Sequence, residues 1–418
     1  MTAGRTDPGV TSGAADRGAR AATPRPVLMI AHSYYEEDPR VRREAESLVA
    51  AGRPVSVLAL RRDGSPATSE VAGVRVHHLD VQRHQGAGLG TYLREYLSFL
   101  FRSMWRSVRL HRRERFALVQ VHSLPDFLVF AALPLKLAGV PVLLDLHEAM
   151  PEFFRSRFPG ASNPVAYRLL RFQERLSIAL STRTITVNPA MRDRLVGLGV
   201  PPGKVAVVVN SPSLGRFDPA GQPKRAFRQD GRLRLVYTGA LTPIYEVDVA
   251  IDAVARIATE RPELDVLLDV YGRGDTEHAL RAEAERLGIG DRVAFHGRIP
   301  IDDVPAAVAG ADIGLAPTRH DRFTDMSLST KVFEYAAMGK PVVATRLPMV
   351  EQTFPPGSVG TYASGDEASM AAAITAFADD PIAREAAIAR TAAIVEARSW
   401  EHAATEYLAL VQQLIDGR

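Results

Sequence analysis

Short apolar runs alternate with amphipathic segments along most of the chain. The runs are rich in Val, Leu and Ile and nearly continuous, which is typical of parallel strands that are covered on both faces. In the first half, the predicted strands are residues 27–32, 54–60, 74–79, 117–122, 141–146, 184–187 and 205–209. In the second half, they are residues 233–239, 264–271, 292–296, 312–316 and 341–345.

Helical patterns fill most of the intervals between these runs. Asp38 and Pro39 predict the start of the first helix, as an N-cap followed by proline, and Val41, Ala45 and Leu48 share one face of it. Further helices are predicted near residues 246–260, 276–287, 329–338, 367–378 and 400–415. This alternation predicts an α/β protein with two doubly wound, Rossmann-like domains that face a cleft.

Changes in composition along the chain predict the domain limits. Residues 1–24 lack an apolar run and are expected to form a disordered tail. Residues 25–210 and 232–398 are the two expected domains, and residues 211–231, rich in Pro, Gly and polar side chains, are the expected linker. Residues 399–418 are expected to form a helix that crosses back onto the N-terminal domain. Such folds bind ligands at the carboxyl ends of their strands, so the cleft is the expected site.

The bulk composition excludes several classes of function. The chain has 418 residues, 46% of them hydrophobic, a formal net charge of +3 and no cysteine, which excludes thiol catalysis and disulfides. It has neither a signal-like apolar stretch nor an apolar run of about 18 residues. We therefore expect a cytoplasmic protein that can lie on the inner face of the plasma membrane. Because we find no Asp-x-Asp signature and no histidines at metal spacing, we predict no metal and no cofactor.

The segment DRFTDMSLSTKVFEYAAMGKPVVAT at residues 321–345 is the most informative. Ser329 or Thr330 can cap a helix that ends before Gly339, and Lys331 and Glu334 share the face of its first turns. The amides at the helix N-terminus can bind a diphosphate, to which Lys331 adds a positive charge. Glu334 can accept hydrogen bonds from the hydroxyls of a ribose. A surface Lys–Glu pair on an ordinary helix is the alternative interpretation.

This segment resembles family 4 of the retaining GT-B glycosyltransferases, in the S-L-P-x-K-x-F-E-Y variant of exopolysaccharide-type members. Other pieces of the chain match the family in the family's order. They are YYEEDPRVRR at residues 34–43, DLHE at 145–148, VNSP at 209–212, YTGAL at 237–241, YGRG at 271–274 and FHGRIP at 295–300. The likeness covers nearly everything from about residue 26 onwards, and it implies the GT-B fold.

The resemblance implies transfer of a sugar, with retention of configuration, from a nucleoside-diphosphate sugar, with UDP as the expected nucleotide. The expected acceptor is a lipid-linked saccharide or an exopolysaccharide, and the nucleotide sugar is a co-substrate rather than a cofactor. Glu334 would hold the ribose, and Lys331 the diphosphate. The helix mouth that helps Lys331 comprises Ser327, Leu328, Ser329 and Thr330. Gly239 would let the backbone approach the phosphates, and Gly297, Arg298 and Ile299 would lie against the base.

The chain departs from the family pattern at two places. Met326 stands where many members have a first glutamate, and we predict that the neighbouring Asp325 takes over its contacts with the donor sugar. After the first glycine loop, the chain also lacks the Arg and Lys that usually neutralise the diphosphate. The compensating charge must then come from among Lys331, Arg273, Arg298 and Arg322, and the sequence does not choose between them.

The motif DLHE follows a predicted strand of the first half and should face the cleft. His147 is predicted to hydrogen-bond the acceptor or the transferred sugar. Glu148 is predicted either to cap the next helix or to assist proton transfer at the acceptor. A purely structural histidine in a strand-end turn is the alternative interpretation for His147.

Residues 83–115 interleave aromatic residues with arginines. Arg102, Arg106 and Arg109 belong to this set, beside Tyr92, Tyr96, Phe99 and Trp105. A helix with aromatic residues on one side and arginines on the other suits the headgroup layer of an anionic membrane. The alternative is a domain helix that buries its aromatic residues and exposes its arginines. We expect no nucleic-acid partner, because no nucleic-acid-binding motif accompanies the arginines.

Two other functions stay open at this point. A nucleotide-sugar 2-epimerase can use the same fold, but it would need acid–base residues on both sides of the sugar and no acceptor. A non-catalytic GT-B subunit would bind nucleotide without transfer, and the missing first glutamate and the sparse phosphate-binding cations are the best support for it.

Overall fold

The computed structural model describes residues 1–2, 24–81, 89–157 and 163–417. The predicted tail at residues 1–24 lies outside these residues except at its ends, as does the beginning of the arginine-rich segment. The strands are β1 (Val27–Ile30), β2 (Val55–Leu60), β3 (Thr68–Val71), β4 (Val74–Leu79), β5 (Leu118–His122), β6 (Val142–Leu146), β7 (Arg183–Thr186), β8 (Val205–Val207), β9 (Leu233–Thr238), β10 (Val266–Tyr271), β11 (Val293–Gly297), β12 (Ile313–Ala316), β13 (Val342–Thr345) and β14 (Gly360–Tyr362).

The α-helices lie between and after these strands. They are α1 (Pro39–Ala50), α2 (Leu89–Glu114), α3 (Leu133–Leu137), α4 (Met150–Arg157), α5 (Pro164–Leu180), α6 (Pro189–Gly197), α7 (Val247–Glu260), α8 (Glu277–Arg286), α9 (Val304–Ala309), α10 (Thr330–Ala337), α11 (Pro348–Thr353), α12 (Glu367–Asp379), α13 (Pro381–Ala397) and α14 (Trp400–Ile415). Asp38 caps α1, as predicted, because its side chain accepts a hydrogen bond of 3.1 Å from the Val41 amide.

The strands form one sheet in each half of the chain. The first has the order β3-β4-β2-β1-β5-β6-β7-β8, and the second has the order β11-β10-β9-β12-β13-β14. Neighbours are parallel throughout, except that β3 is antiparallel to β4 at an edge. The second order is that of the Rossmann fold. The predicted fold class, two doubly wound α/β domains, is therefore confirmed.

Hydrophobic residues cover both faces of each sheet. Strands β1, β2, β5, β6, β12 and β13 are buried along their whole length, which explains their continuous apolar runs. The last helix, α14, packs on the first sheet, where Trp400, Tyr407 and Val411 join the cluster that contains Val27 and Met29. The chain thus crosses back to the N-terminal half, as expected.

Polar contacts join the two halves across the cleft. The Asn188 side-chain amide donates to the Met326 carbonyl at 2.8 Å, and the Ser156 hydroxyl donates to Asp321 at 2.5 Å. Arg157 pairs with Asp275 at 2.5 Å. These contacts hold the carboxyl ends of both sheets against one space, which is where the candidate site lies.

No helix in the described ranges combines the length and the apolar content needed to cross a membrane.

Candidate active site

The N-terminus of α10 holds a buried lysine. Lys331 is 8% exposed, and its ammonium lies 4.0 Å from the centre of the Tyr245 ring and 5.4 Å from that of Tyr237. Within the described part of the chain, this ammonium makes no ion pair with a carboxylate. Aromatic faces stabilise a cation without neutralising it. The charge is therefore held in place and available to an anion.

Glu334 lies one turn along the same face of α10. Burial raises the pKa of its carboxyl, whereas the positive charges of Lys331 and Arg43, and a hydrogen bond with Thr330, oppose that shift. Arg43 itself is held by the carbonyl of Ser211 at 2.6 Å and by the Asn210 side chain. Burial, helped by Arg40, lowers the pKa of Arg43 to about 10, so it remains charged at neutral pH.

Three glycine turns pack against each other beside this lysine. The Gly239 amide donates to the Tyr271 carbonyl, and the Gly272 amide donates to the Gly297 carbonyl, both at 2.8 Å. A Cβ atom at Gly272 would lie 1.7 Å from the Gly239 carbonyl oxygen, and one at Gly239 would lie 2.5 Å from Cε of Lys331. Gly239 also has a φ of 145°. Only glycine fits at these two positions without displacing its neighbours.

Three neighbouring cavities open at this place. The glycine-loop cavity, of about 270 Å³, is lined by Gly239, Arg273, Arg298, Ile299, Thr330, Lys331 and Glu334, together with Arg43 and Arg216. The histidine cavity, of about 200 Å³, is lined by His147, Glu148, Asn188, Tyr245, Ser327, Leu328, Ser329, Thr330 and Lys331, among others. Thr330 and Lys331 line both, so the N-terminus of α10 separates the two.

The aromatic cavity is the largest of the three, at about 520 Å³. Its apolar wall comes from α2, α4, α5 and the turn before α3, and includes Tyr92, Tyr96, Phe127, Phe153, Phe154 and Leu170. It shares Ala240, Arg273 and Arg298 with the glycine-loop cavity. An elongated ligand can therefore pass from one to the other.

His147 lies at the end of β6, and Asp145 on that strand orients it. The Asp145 carboxylate accepts from Nε2 of His147 at 2.9 Å and from Nδ1 of His122 at 3.1 Å. Although burial alone would raise the pKa of Asp145, Arg40 and the two histidines hold it well below its usual range. Burial lowers the pKa of His147 despite the carboxylate. At neutral pH, His147 is thus a neutral ring whose Nδ1 can accept a hydrogen bond.

A buried polar chain extends from Asp145 to the C-terminal helix. Arg40 binds both oxygens of Asp145, at 2.6 and 2.8 Å, and contacts Glu44 at 3.2 Å. Glu44 accepts from Gln120 at 2.5 Å, and the Tyr407 hydroxyl donates to Gln120 at 2.6 Å. Helices α1 and α14 therefore help to fix the orientation of His147.

Comparison with known proteins agrees with this geometry. A model of the glycosyl transferase 4-like domain matches residues 38–211, and a model of glycosyl transferases group 1 matches residues 232–380. The chain is a GT-B glycosyltransferase.

Relatives and solved structures extend this likeness over most of the molecule. A D-inositol 3-phosphate glycosyltransferase of Thermobispora bispora is 27% identical over 354 residues, 81% of this chain and 80% of that one. Sucrose-phosphate synthase from Thermosynechococcus elongatus has the same fold, with a TM-score of 0.75 at 17% identity, over 94% of this chain and 100% of that one. Anabaena HepE in complex with UDP-glucose gives a TM-score of 0.65 at 14% identity, over 93% and 99%.

The predicted site residues of the glycosyltransferase come from distant parts of the chain. The residues that the structure gathers around the three cavities are His147, Glu148, Gly239, Arg273, Arg298, Ile299, Ser327, Leu328, Ser329, Thr330, Lys331 and Glu334. Gly297 bonds to the Gly272 turn beside them. Arg102, Arg106 and Arg109 lie away from this cluster, on α2.

Asp325 is placed differently from the expectation for a sugar-binding carboxylate. Its carboxylate accepts from Nε2 of His320 at 2.7 Å and is 41% exposed, and it does not line any of these three cavities. The Met326 carbonyl next to it is held by Asn188. Contact between Asp325 and the donor sugar stays a prediction. We expect Asp325→Ala to lower kcat/KM by less than about tenfold, because its carboxylate is exposed, pairs with His320 and lines none of these three cavities. A steady-state assay of the variant and the parent measures this change.

Sequence reasoning missed several residues that line the same space. Arg43 and Arg216 add positive charge near Glu334, and Tyr245 lies under the lysine ammonium. Asn188 reaches the helix mouth from the other domain. Arg43 lies in the matched YYEEDPRVRR segment, which is the one signal that could have found it; the other three gave none.

Asp145 and the two histidines that contact it also lie close enough together to hold a metal ion. Ligand atoms of His122, Asp145 and His147 lie within 4.8 Å of one another. Both oxygens of Asp145 already bind the Arg40 guanidinium, so a cation here would face a fixed positive charge in a buried place. The donor set fits a hydrogen-bonded orienting group better than a metal site.

Glu148 makes the folding stability of the glycosyltransferase pH-dependent. Burial raises its pKa from the model-compound value of 4.5 to about 7. The native state therefore holds a proton that the unfolded chain releases, and stability falls as pH rises from about 4.5 to 7. We expect Glu148→Gln to be more stable than the parent at pH 8, on the order of 1 kcal/mol, and no more stable at pH 4. Urea unfolding at both values measures this; equal differences at both would contradict it.

Proposed function

We propose that the protein transfers a sugar, with retention, from a UDP-sugar to a lipid-linked saccharide. The observation that carries this proposal is the buried, unneutralised Lys331 at the N-terminus of α10, between the glycine turns and His147. An ammonium and free backbone amides at one helix mouth form a site that favours a diphosphate.

The leaving diphosphate determines the chemistry. In the oxocarbenium-like transition state, negative charge grows on the departing phosphate, and fixed cations that face it lower the barrier. Lys331 supplies one charge, and Arg273, which makes no ion pair with a carboxylate in the described ranges, lines the same cavity. Arg298 is already paired with Glu37 and contributes less. The acceptor hydroxyl gives its proton to the leaving phosphate, and no enzymic nucleophile is assigned.

The nucleoside part of the donor fits the glycine-loop cavity. Glu334, held beside Arg43, accepts from the ribose hydroxyls. Arg298 and Ile299 follow the third glycine turn and line the same cavity, where a planar base can lie. The sugar then projects past Thr330 into the histidine cavity, towards His147.

A thermal-shift panel tests the choice of donor. Because a ligand that binds only the native state stabilises it, by about 2.7 kcal/mol at a hundred times its Kd, UDP-sugars should raise the melting temperature. The solved HepE complex with UDP-glucose, of the same fold, supports uridine. We expect GDP- and ADP-sugars to shift it less. A larger shift with either of those would change the assigned nucleotide, whereas no shift with any would remove the donor site.

Gly239→Ala should disable donor binding while the fold persists. The added Cβ would lie 2.5 Å from Cε and 2.8 Å from Nζ of Lys331, so the lysine must leave its place. The φ of 145° adds strain, of about 1–3 kcal/mol. We expect UDP affinity to fall about tenfold or more, measured by calorimetry. Gly221→Ala, at a glycine whose added Cβ would meet nothing within 4 Å, is the matched control; equal affinity in both variants would contradict the proposal.

The acceptor is assigned by chemistry and tested separately. The relative from Thermobispora bispora is named for an inositol phosphate acceptor, so a soluble sugar phosphate is the competing acceptor class. The aromatic cavity favours a longer, apolar acceptor. Assays with a radiolabelled UDP-sugar should show label partitioning into butanol when lipid acceptors are added; label confined to a water-soluble product would overturn the lipid assignment. Conversion of UDP-N-acetylglucosamine to an epimer without acceptor would instead indicate epimerase activity.

A further inference from the structure

Two helices of the N-terminal domain expose rows of large hydrophobic side chains. On α2, Leu93, Leu97, Phe101 and Trp105 recur every turn, and Trp105 is 62% exposed. On α5, the row is Val165, Leu169, Phe172 and Leu176, and Phe172 is 63% exposed. Contiguous exposed apolar residues of this size mark a surface that is covered in use.

The exposed charges of these helices have one sign. On α2, Arg94, Arg102, Arg109, Arg112 and Arg113 are exposed, and on α5, Arg168 and Arg175 are exposed. The glutamates of the two helices are not free to balance them. Glu95 is buried against His32, Glu174 is paired with Arg194, and Glu114 accepts from Ser56. The outer faces therefore combine large apolar groups with arginines.

The aromatic cavity connects these faces with the donor site. Residues of both helices line it, including Leu93 from α2 and Leu170 from α5. Leu93 is also 52% exposed, so the wall of the cavity continues into the outer row of α2. The lining of the cavity also includes Arg273 and His122, whose Nε2 is buried and has no hydrogen-bond partner among the described residues. The cavity thus combines an apolar wall with a cation and a hydrogen-bonding group.

We propose that α2 and α5 together rest on an anionic lipid surface, and that the aromatic cavity takes the first part of the acceptor's lipid chain, with its phosphate towards Arg273. This inference rests on the proposed function, since it names the acceptor class of the same site. It goes beyond the arginine-rich segment, because α5 becomes half of the contact surface. Apolar side chains that enter the acyl boundary and arginines that meet anionic headgroups are the two requirements of such binding.

A second copy of the chain is the competing occupant of this surface. A symmetric contact would bring the same arginines of both copies together, without acidic residues to pair with them, and like charges that face each other oppose association. An anionic bilayer satisfies both the apolar rows and the charge. The charges therefore favour lipid over self-association.

Vesicle sedimentation of the full-length protein tests the surface. With vesicles of phosphatidylcholine containing 30% phosphatidylglycerol, we expect Leu169→Ser/Phe172→Ser to lower the partition coefficient about tenfold or more, since each side chain loses the transfer energy of a buried apolar group. Phe101→Ser/Trp105→Ser should have a similar effect. Ile382→Ser, which changes an 84% exposed residue of the other domain, is the control. If the α5 variant binds vesicles as well as the wild type, the proposal is overturned. It is also overturned if these substitutions abolish a dimer seen in sedimentation velocity and leave vesicle binding unchanged.

A fluorescent reporter checks α5 directly. Trp105 is exposed and Trp400 is buried, so the two tryptophans of the chain differ in their access to lipid. In Trp105→Phe/Phe172→Trp, we expect the emission to shift to the blue on addition of the same vesicles and to be quenched by brominated lipid. An unchanged spectrum with bound vesicles would exclude α5 from the surface.

A cavity-filling variant tests whether the aromatic cavity binds the lipid chain of the acceptor. Farnesyl phosphate is the probe, and inorganic phosphate is the comparison ligand. We expect farnesyl phosphate to raise the melting temperature of the wild type, and Leu170→Trp to weaken its binding about tenfold or more because the new ring occupies the cavity. Equal shifts with inorganic phosphate, or an unaffected variant, would overturn the cavity assignment. Normal stabilisation of the variant by UDP would show that the donor site is intact, so the two proposals can fail separately.

Discussion

Lys331→Ala should lower kcat by about 10²–10³-fold, the usual cost of removing one fixed group that stabilises transition-state charge. The reason is specific to this site. The ammonium is buried against two aromatic rings and makes no ion pair with a described carboxylate, so an incoming diphosphate meets its whole charge. Alanine would leave the backbone amides of α10 and the Arg273 guanidinium in the same cavity. Steady-state kinetics with a UDP-sugar donor measures the loss.

Glu334→Ala should show a different pattern from the lysine variant. Because its carboxylate is expected to hold the ribose, a non-reacting part of the donor, we expect a higher KM for the donor and a lower kcat. Neither added salt nor a change of pH should restore these two constants.

Lys224→Ala, at an exposed lysine, is the control for the loss of one positive charge in Lys331→Ala. Circular dichroism must show an intact fold in each variant. Turnover within about threefold of the parent in Lys331→Ala would mean that the helix mouth does not bind the diphosphate.

The helix mouth could be predicted from the sequence because its parts are local. Lys331 and Glu334 are one turn apart, and Gly339, with a φ of 67°, ends the helix where it was expected. Strands buried on both faces also have a strong signal. By contrast, β3 alternates between exposed and half-buried residues at an edge, and β14 has three residues, so neither formed an apolar run and both were missed.

Parts of the site that depend on the meeting of distant segments could not be predicted. Arg43 on α1 acts on Glu334 on α10 only because the two helices line the same cavity. His122 and His147 converge because β5 and β6 are neighbours in the sheet, which no spacing along the chain encodes. The prediction for Asp325 rested only on its proximity in sequence to Met326, and the structure shows its carboxylate paired with His320, so its contact with the donor sugar stays a prediction.

His147→Ala should lower kcat by about 10²–10⁴-fold, the range that a positioned acid–base or hydrogen-bonding group supplies, with little change in UDP affinity. The ring lines the histidine cavity together with Ser329 and Thr330, beyond the diphosphate site, so the donor's nucleotide does not touch it. Its neutral form is the one that can accept from a hydroxyl of the sugar or acceptor, and burial favours that form by lowering its pKa. Calorimetry with UDP, beside kinetics, separates binding from turnover.

The pH profile distinguishes this function from a merely structural one. If neutral His147 is required, kcat of the parent should fall as pH drops below the ordinary histidine value of 6.5, because protonation removes the accepting lone pair. His147→Gln keeps an accepting oxygen that does not titrate, so it should retain more activity than His147→Ala and lose this acid limb. His278→Ala, at an exposed histidine of α8, should keep the parent's rate and profile. A His147→Gln variant with the parent's acid limb would place the titrating group elsewhere, at Glu148 or Glu44, whose pKa values burial raises to about 7.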